Sequence, residues 1–297
     1  MYWTQFLWRN EDRVFLPLES ASPKVNWIKR IALALVVCAA LAIWIGADRL
    51  PANATRPIEW RGETELKSLS GKMFRIASFN IHAGKGTDGV LDLARVANCL
   101  AKVEPDFANL NEVRSARYGI PMPQLDEIAD RLDMAAAFLP AERQFWRPSY
   151  GNGLLSNVAT GPVYKLPLPC TQGRKYRLAA LTSFQAGGRT VQVLCVHLDR
   201  VDDRAAQLEY VFTLFASLEA PAIMMGDLNT CYHEPVMEKY LKLPGVRDVL
   251  REHLGKEDML YRVDWILARG LKTVEAGVLE NDASDHPLVW AEFAVED

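Results

Sequence analysis

The chain has 297 residues, 49% hydrophobic and 24% charged, with no low-complexity tract and no repeat of fixed period, which excludes a disordered protein or a solenoid. Most of that length suits one large globular domain, since layered single domains often reach roughly 250 residues. The formal net charge is −3, and from Pro51 onward 28 Lys and Arg stand against 33 Asp and Glu, so the strongly basic footprint of a tight duplex binder is absent.

The first element is apolar. Ile31 to Ala47 reads IALALVVCAALAIWIGA, 17 residues without a charge, directly after Lys29-Arg30. As a helix it reaches roughly 25 Å, the short end of what spans a bilayer. Trp27 and Trp44 suit interfacial positions, and Lys24, Lys29 and Arg30 favour a tail kept in the cytoplasm, although Arg49, Arg56 and Arg61 blunt that bias. A cleaved secretory signal is the rival, with Ala52-Asn53-Ala54 as its small-x-small site; a buried core helix is the third reading. Either of the first two would export the long domain C-terminal to the helix. The sequence therefore divides into a cytoplasmic tail (1–30), a transmembrane or signal-anchor helix (31–47), a linker (48–72) rich in Pro, Thr and charge, and a body (73–297).

In the body, Phe74 to Asn80 alternates apolar and polar residues and predicts a strand. A glycine-bearing loop comes next, then a helix through Leu93, Val96, Ala97 and Leu100, with Asp88 as its expected cap and Pro105 as its end. Asp106 to Leu110 is a short strand ending at Asn111-Glu112, and Gln124 to Leu132 is a second amphipathic helix. Strands are expected over Ala135–Pro140, Gly153–Ser156, Arg177–Phe184 and Thr190–Val196, the last two joined by a tight turn at Ala186-Gly187-Gly188-Arg189. Ala205–Leu218 is helical, Pro221–Met225 is a buried strand, Val236–Leu241 and Val246–Leu254 are short helices, and Arg262–Ala268 and Leu288–Phe293 close the chain as strands. The hairpins exclude a purely parallel array. Two mixed sheets packed together with helices outside bury every sheet face.

The five cysteines contain no C-x-x-C pair, so a zinc site is not expected. Cys99 and Cys195 lie in apolar patterns and read as buried thiols; Cys170 and Cys231 are compatible with a bridge in an oxidising compartment. The basic cluster Arg174-Lys175-Arg177 reads either as a solvated turn or as a contact for an anion.

Polar and acidic residues gather at the ends of expected strands: Asn80 and His82 after the first, Glu112 after the second, His197 at the end of VLCVH, Asp227 and Asn229 after IMM, Asp264 inside RVDWIL, and Asp285-His286 before the last. Asp264 is the most telling. A carboxylate among Val263, Trp265 and Ile266 is costly to bury without a partner, and a histidine nitrogen, here His286, is a natural one that Asp264 would orient and keep charged. An exposed strand position would satisfy it equally. Glu112 suits Mg²⁺, which prefers oxygen ligands, or a solvated strand end; Asn80 suits a phosphate, a metal or a turn.

Taken in order, SFNIHAGKGTDG, LNEV, YGNGLLSN, VHLD, GDLN, RVDWIL and SDHPL resemble the endonuclease/exonuclease/phosphatase superfamily of metal-dependent phosphoesterases, from about Met73 to Phe293. GDLN and SDHPL are the specific pieces. The resemblance implies an α/β (α+β) fold, a four-layer α-β-β-α sandwich of two mixed sheets flanked by helices, with a Mg²⁺ or Mn²⁺ cofactor and 73–297 as the catalytic domain. It implies Glu112, Asn80 and Asp285 at the metal, and Asp227, His286, Asp264 and His197 as catalytic residues. Among these, Asp227 activates the water, Asp264 orients His286, and His197 stands near the phosphate. Asn80, Asn229 and His82 would bind substrate. Three departures stand out. Asn111 replaces the commoner glutamine before the glutamate, His82 stands where some nucleases carry Asp, and Leu228, expected in the core, replaces the commoner phenylalanine. The implied partner is a phosphate-ester substrate (nucleic acid, phospholipid or small phosphorylated molecule), acted on by a monomer tethered to a membrane by the N-terminal helix. Trp146 and Tyr118 read as lipid contacts or as ordinary packing.

Overall fold

The computed structural model describes residues 23–52, 57–62, 66, 69, 71, 73–172, 175–255 and 261–295. Residues 1–22 of the tail expected at 1–30, the Asn53-Ala54 half of the small-x-small site, Arg56 and Arg174 lie outside the described residues, and 23–30 of that tail are helical. Two compact units divide the chain, one ending at Ile45 and the other running Gly46–Asp297.

The helix α1 (Pro23–Ala47) has 25 residues. Its stretch Trp27–Ala47 has a mean hydropathy of 2.3 and is long and apolar enough to cross a membrane, beginning four residues before the expected start. Leu33, Leu35 and Ile43 are all exposed, so the reading as a buried core helix is excluded.

The second unit opens with β1 (Leu50–Pro51), β2 (Met73–Asn80), α2 (Leu93–Val103), β3 (Phe107–Arg114), β4 (Ala116–Arg117) and β5 (Ile120–Pro121). Then come α3 (Gln124–Leu132), β6 (Ala135–Gln144), β7 (Arg147–Ser156), β8 (Tyr164–Pro167), β9 (Leu178–Ala186) and β10 (Arg189–His197). It closes with α4 (Arg204–Ser217), β11 (Ala222–Asp227), α5 (Pro235–Leu241), β12 (Arg247–Asp248), α6 (Val249–Leu254), β13 (Asp264–Arg269), β14 (Lys272–Leu279) and β15 (Leu288–Ala294).

A seven-stranded sheet has the order β1-β6-β7-β3-β2-β15-β14, and a six-stranded sheet the order β12-β13-β11-β10-β9-β8. Both are mixed: β2 and β3 run parallel, as do β10 and β11, among antiparallel neighbours. Alternation along each strand distributes side chains between layers. In β2, Ile76 enters a core shared with Val193, Cys195, Ile223 and Met225 of the other sheet, whereas Ala77 and Phe79 face Val96 and Leu100 of α2 and Ile128 of α3. In β10 and β11, Leu194, Val196 and Met224 turn outward onto Phe212 of α4 and Met237 of α5. The result is helix, sheet, sheet, helix. The small helix α6 sits differently: it packs on both β13 and β14, and Val249 and Leu250 join the central core.

Some sequence expectations change. The described parts of the 48–72 stretch are laid onto the body rather than hanging free: β1 pairs with β6, and bridges join Ile58 to Val163, Arg61 to Ala136 and Leu69 to Ala186. The α2 cap is Asp92, not Asp88; Asp92 is extended and its Oδ1 accepts from Ala94 N at 2.9 Å and Arg95 N at 3.3 Å. Asp88 instead pairs with the Arg95 guanidinium. Cys170 and Cys231 are free thiols, donating to the carbonyls of Lys175 and Tyr261. Cys99 and Cys195 are buried, as is Leu228.

Candidate active site

The parallel pairs bring strand ends to one rim. Asn80 lies opposite Asn111 on β2 and β3. His197 lies opposite Asp227 on β10 and β11, and Asp227 opposite Asp264 on β13. The loop before β15 carries Ser284, Asp285 and His286 to the same place, where Ser284 Oγ donates to the carbonyl of Asn80 at 2.6 Å and accepts from His286 N at 3.2 Å.

Local backbone shapes this rim. Gly226 has φ +141°, and a Cβ there would stand 1.9 Å from the Val196 carbonyl oxygen of β10; only glycine lets β11 approach so closely before Asp227. A bulge sets Asn111 and Glu112 of β3 against Asn152 alone on β7, and Glu112 takes φ 63°. Such bulges re-aim a side chain. His82 (φ 47°) and Asn229 (φ 48°) also adopt left-handed backbone, a conformation that costs a non-glycine residue and persists where its surroundings hold it.

At the centre, Asp227 is buried. Its Oδ1 accepts from Asn229 N at 2.8 Å, and its Oδ2 accepts from Asn80 Nδ2 at 3.0 Å. Asn229 Nδ2 also donates to the Leu198 carbonyl at 3.0 Å. Asp264 Oδ2 lies 2.7 Å from Nδ1 of His286, and His286 Nε2 lies 3.5 Å from Asn80 Nδ2. Burial pushes the Asp227 carboxyl above the usual carboxylate range, and the nearby Asp264 charge adds to it. Burial would lower His286, but the Asp264 hydrogen bond and the charges of Asp264, Asp227 and Asp285 outweigh it and raise the imidazole to about 9. His286 is thus an imidazolium at neutral pH, beside Asp227, which holds its proton more tightly than an ordinary carboxyl does.

His197 is the opposite case. Fully buried, with the Arg177 guanidinium beside it, it is held well below the usual imidazole range and stays neutral. Its Nδ1 lies 3.2 Å from Arg177 Nη1. A guanidinium only donates, so Nδ1 accepts and the ring proton sits on Nε2, 3.6 Å from Asp227 Oδ2. That Nε2 and Asp264 Oδ1 are buried polar atoms without hydrogen-bond partners.

His82 and Asp285 form the outer edge, with Nδ1 and Oδ1 3.5 Å apart and both side chains well exposed. Glu112 is half-buried and lines a recess beside Arg177. Two residues of the site carry no catalytic role in the sequence reading. Asn111 is buried and crosses between the sheets: its Oδ1 accepts from Asp227 N at 3.1 Å and its Nδ2 donates to the Val196 carbonyl at 3.2 Å. The only signal was its place before Glu112. Arg177, read as part of a solvated turn or of an anion contact, is buried against His197 and Tyr150. Conversely, Trp146 and Tyr118 are exposed, so neither is core packing.

Asp227, Asp264 and His286 are the three acidic or imidazole side chains among the described residues whose ligand atoms lie within 4.8 Å of one another. Spacing alone would let them share a cation, but the Asp264–His286 hydrogen bond already engages one atom of each. Glu112 and Asp285 are not in that trio. Their carboxylates are the more accessible oxygen donors, and the Asn80 amide oxygen, which accepts from His82 N at 3.1 Å, retains a second lone pair. That donor set fits a hard divalent cation.

Residues 77–286 match the model of the Endonuclease/Exonuclease/phosphatase family. The chain belongs to that family. Members of the endonuclease/exonuclease/phosphatase family are usually hydrolases of phosphoester bonds. A UPF0294 protein of Yersinia pseudotuberculosis is 28% identical over 182 residues, 58% of this chain and 68% of that protein. In fold, the chain is similar to an endonuclease/exonuclease/phosphatase of Beutenbergia cavernae, with TM-score 0.61 and 22% identity over 75% of this chain and 72% of the other. It is also similar to D. rerio TDP2 complexed with a single-strand DNA product, with TM-score 0.60 and 19% identity over 75% and 99%.

Proposed function

We propose that the protein is a divalent-metal-dependent phosphoesterase that hydrolyses phosphodiester or phosphomonoester bonds by in-line attack of water. The observation that carries this reading is the pairing of Asp227 with the Asp264–His286 dyad, a buried carboxylate made more basic than usual beside an imidazolium. Such opposed protonation states suit one group that takes a proton from water and one that stabilises phosphate charge. Asp227 holds and deprotonates the attacking water. His286, oriented by Asp264 through Nδ1, presents Nε2–H to a phosphate oxygen, and Asn229 and Asn80 position the phosphate. His197, neutral with its proton on Nε2, donates toward the same space, and His82 stands at its edge. Glu112, Asp285 and the Asn80 oxygen would hold Mg²⁺ or Mn²⁺, which when bound neutralises charge on the phosphate and leaving oxygen.

The α1 helix supports a single-pass anchor with the catalytic domain (73–297) outside the cytoplasm, acting as a monomer; a cleaved signal would export the same domain. An endonuclease reading draws on D. rerio TDP2, described with a single-strand DNA product. A phospholipid or sphingomyelin-type phosphodiesterase, or an inositol-phosphate-type phosphatase, is favoured by the apolar helix and the exposed Trp146 and Tyr118. A catalytically inactive tethered binder is the alternative from another class, and the buried Asp227–Asp264 pair argues against it, since a binder gains nothing from two desolvated carboxylates.

The test is the purified full chain with Mg²⁺ or with EDTA, offered plasmid DNA, RNA, bis-p-nitrophenyl phosphate and sphingomyelin. Metal-dependent hydrolysis is expected on at least one of them. Asp227→Ala or His286→Ala should lower turnover more than about a hundredfold, in the range for loss of one general base or charge-stabilising group. A folded Asp227→Ala with near-wild-type turnover refutes the assignment, and inactivity of the wild type on every substrate favours the binder.

A further inference from the structure

Next to the Asp227 cluster lies a recess of about 140 Å³, of whose lining the reaction above uses Glu112 alone. Arg49, Arg114, Lys175 and Arg177 line it, together with Tyr150 and the carboxylates of Glu112 and Glu142. These cations come from separate places: Arg49 ahead of β1, Arg114 at the end of β3, and Lys175 and Arg177 ahead of β9. Like charges gathered this way repel one another, so the arrangement is costly unless anions face it. Four cations face two carboxylates, which leaves an excess of two positive charges before Glu112 is given any other partner.

The existing contacts account for little of that charge. Arg49 Nη1 is 3.8 Å from Glu142 Oε2. Arg114 lies over the Tyr150 ring at 5.4 Å and Arg177 at 5.9 Å, and Arg177 donates to the Tyr150 hydroxyl at 3.1 Å. The Arg177 Nε is buried with no hydrogen-bond partner. Lys175 has no carboxylate partner recorded among the described residues and is exposed. Room for about four or five waters, at the ~30 Å³ each takes in the liquid, is more than one carboxylate needs and suits a tetrahedral anion.

We propose that this recess is a subsite for a second phosphate group of the substrate, beside the phosphate that is hydrolysed. The proposal rests on the phosphoesterase reading and narrows its substrate class to molecules bearing two phosphates a few atoms apart. A phosphomonoester carries about −1.5 to −2 charge at pH 7, which matches the excess. Arginine forks grip such a group bidentately, and lysine adds a point charge. Arg177 is the link between the two places: it lines the recess and touches His197 Nδ1, whose Nε2 faces Asp227.

The probe is inorganic pyrophosphate, titrated calorimetrically into the purified full chain in EDTA. The wild type should bind it. The double variant Lys175→Ala/Arg114→Ala should bind at least about tenfold more weakly, the factor that about 1.4 kcal/mol represents. Arg131→Ala, at an exposed position on α3, should bind as the wild type does. Absence of binding by the wild type, or equal affinity in the double variant, overturns the proposal. Two further arms name the source of the phosphate. A 5′-phosphorylated dinucleotide and a dihexanoyl phosphatidylinositol phosphate are each compared, by kcat/KM, with the form lacking the extra phosphate. Preference for the phosphorylated form in one arm, erased in the double variant, supports the subsite and identifies that source; where either pair is cleaved, no preference in either arm, or one that survives the substitutions, overturns it. Turnover of bis-p-nitrophenyl phosphate is read separately. Wild type that cleaves it but ignores pyrophosphate loses only the subsite. Wild type that binds pyrophosphate but cleaves nothing keeps the subsite and loses the phosphoesterase reading.

Discussion

Asp227 and Asp264 face each other in register on neighbouring strands, and their surroundings divide the labour between them. Asp264 spends Oδ2 on His286, whereas Asp227 accepts from the Asn229 backbone amide and the Asn80 side-chain amide. A proton on His286 and none on Asp227 is the working state in the proposed reaction. Activity should therefore rise as Asp227 loses its proton, at a pH above the usual carboxylate range, and fall as pH climbs through about 9, where His286 is deprotonated. Asp264→Asn removes both the hydrogen-bonded charge and the main force raising His286, so the alkaline limb should move to lower pH. A pH–rate profile of that variant with an unmoved alkaline limb would show that Asp264 does not govern His286. The sequence already pointed to this pair, because a carboxylate inside an apolar strand needs a partner. It did not point to Asn111, whose importance is that it fixes the Asp227 backbone to the opposite sheet, a contact 116 residues away in the chain.

At the level of elements, the strand ends depend on backbone features as much as on side chains. Gly226→Ala would drive a Cβ to within 1.9 Å of the Val196 carbonyl oxygen in the present backbone. β10 and β11 would have to separate, and thermal unfolding should show a loss of more than about 3 kcal/mol, at the severe end for a single substitution. An unchanged melting temperature would mean that the two strands are not so closely joined. Asp92→Ala removes the cap that holds two amides of α2 and should cost about 1 kcal/mol, while Asp88→Ala, which leaves that cap intact, should cost less. The sequence reading placed the cap at Asp88, four residues early; the extended backbone at Asp92 puts its carboxylate against the first free amides instead. The strands that escaped sequence reading, β1, β4, β5, β8, β12 and β14, all end a sheet or belong to the two-stranded β4-β5 pair. An edge strand pairs on one side only and can be short or irregular, so its alternation is weak, as in the bulged KTVEAGVL of β14.

For the molecule as a whole, buried His197 and partly buried His286 make stability respond to pH in opposite directions. His197 is held well below its ordinary value of 6.5, so the unfolded chain takes up a proton that the native chain refuses. Stability should fall as pH drops below about 6.5, by up to about 1.4 kcal/mol per pH unit. His286, raised to about 9, contributes stability that is fully present below 6.5 and disappears as pH rises through 9. Asp227, whose raised carboxyl takes up a proton in the native state over the same range, opposes that slope, so the readout is the difference between chains: from pH 7 to pH 5, denaturant unfolding of His197→Gln should lose less stability, or gain more, than the wild type, and identical pH dependence in the two would sink the claim that His197 is buried neutral. By itself the sequence determined the apolar N-terminal helix, the succession of helices and strands, and the set of polar residues at strand ends, because each is written in local periodicity and in residue types that only certain chemistry uses. Tertiary structure alone decided that the described parts of the 48–72 stretch lie on the body, that α6 enters the central core, and that Asn111 and Arg177 stand beside Asp227 and His197. Those outcomes come from segments far apart in the chain meeting across two packed sheets, and no local pattern records which distant side chain will be on the other side of a contact.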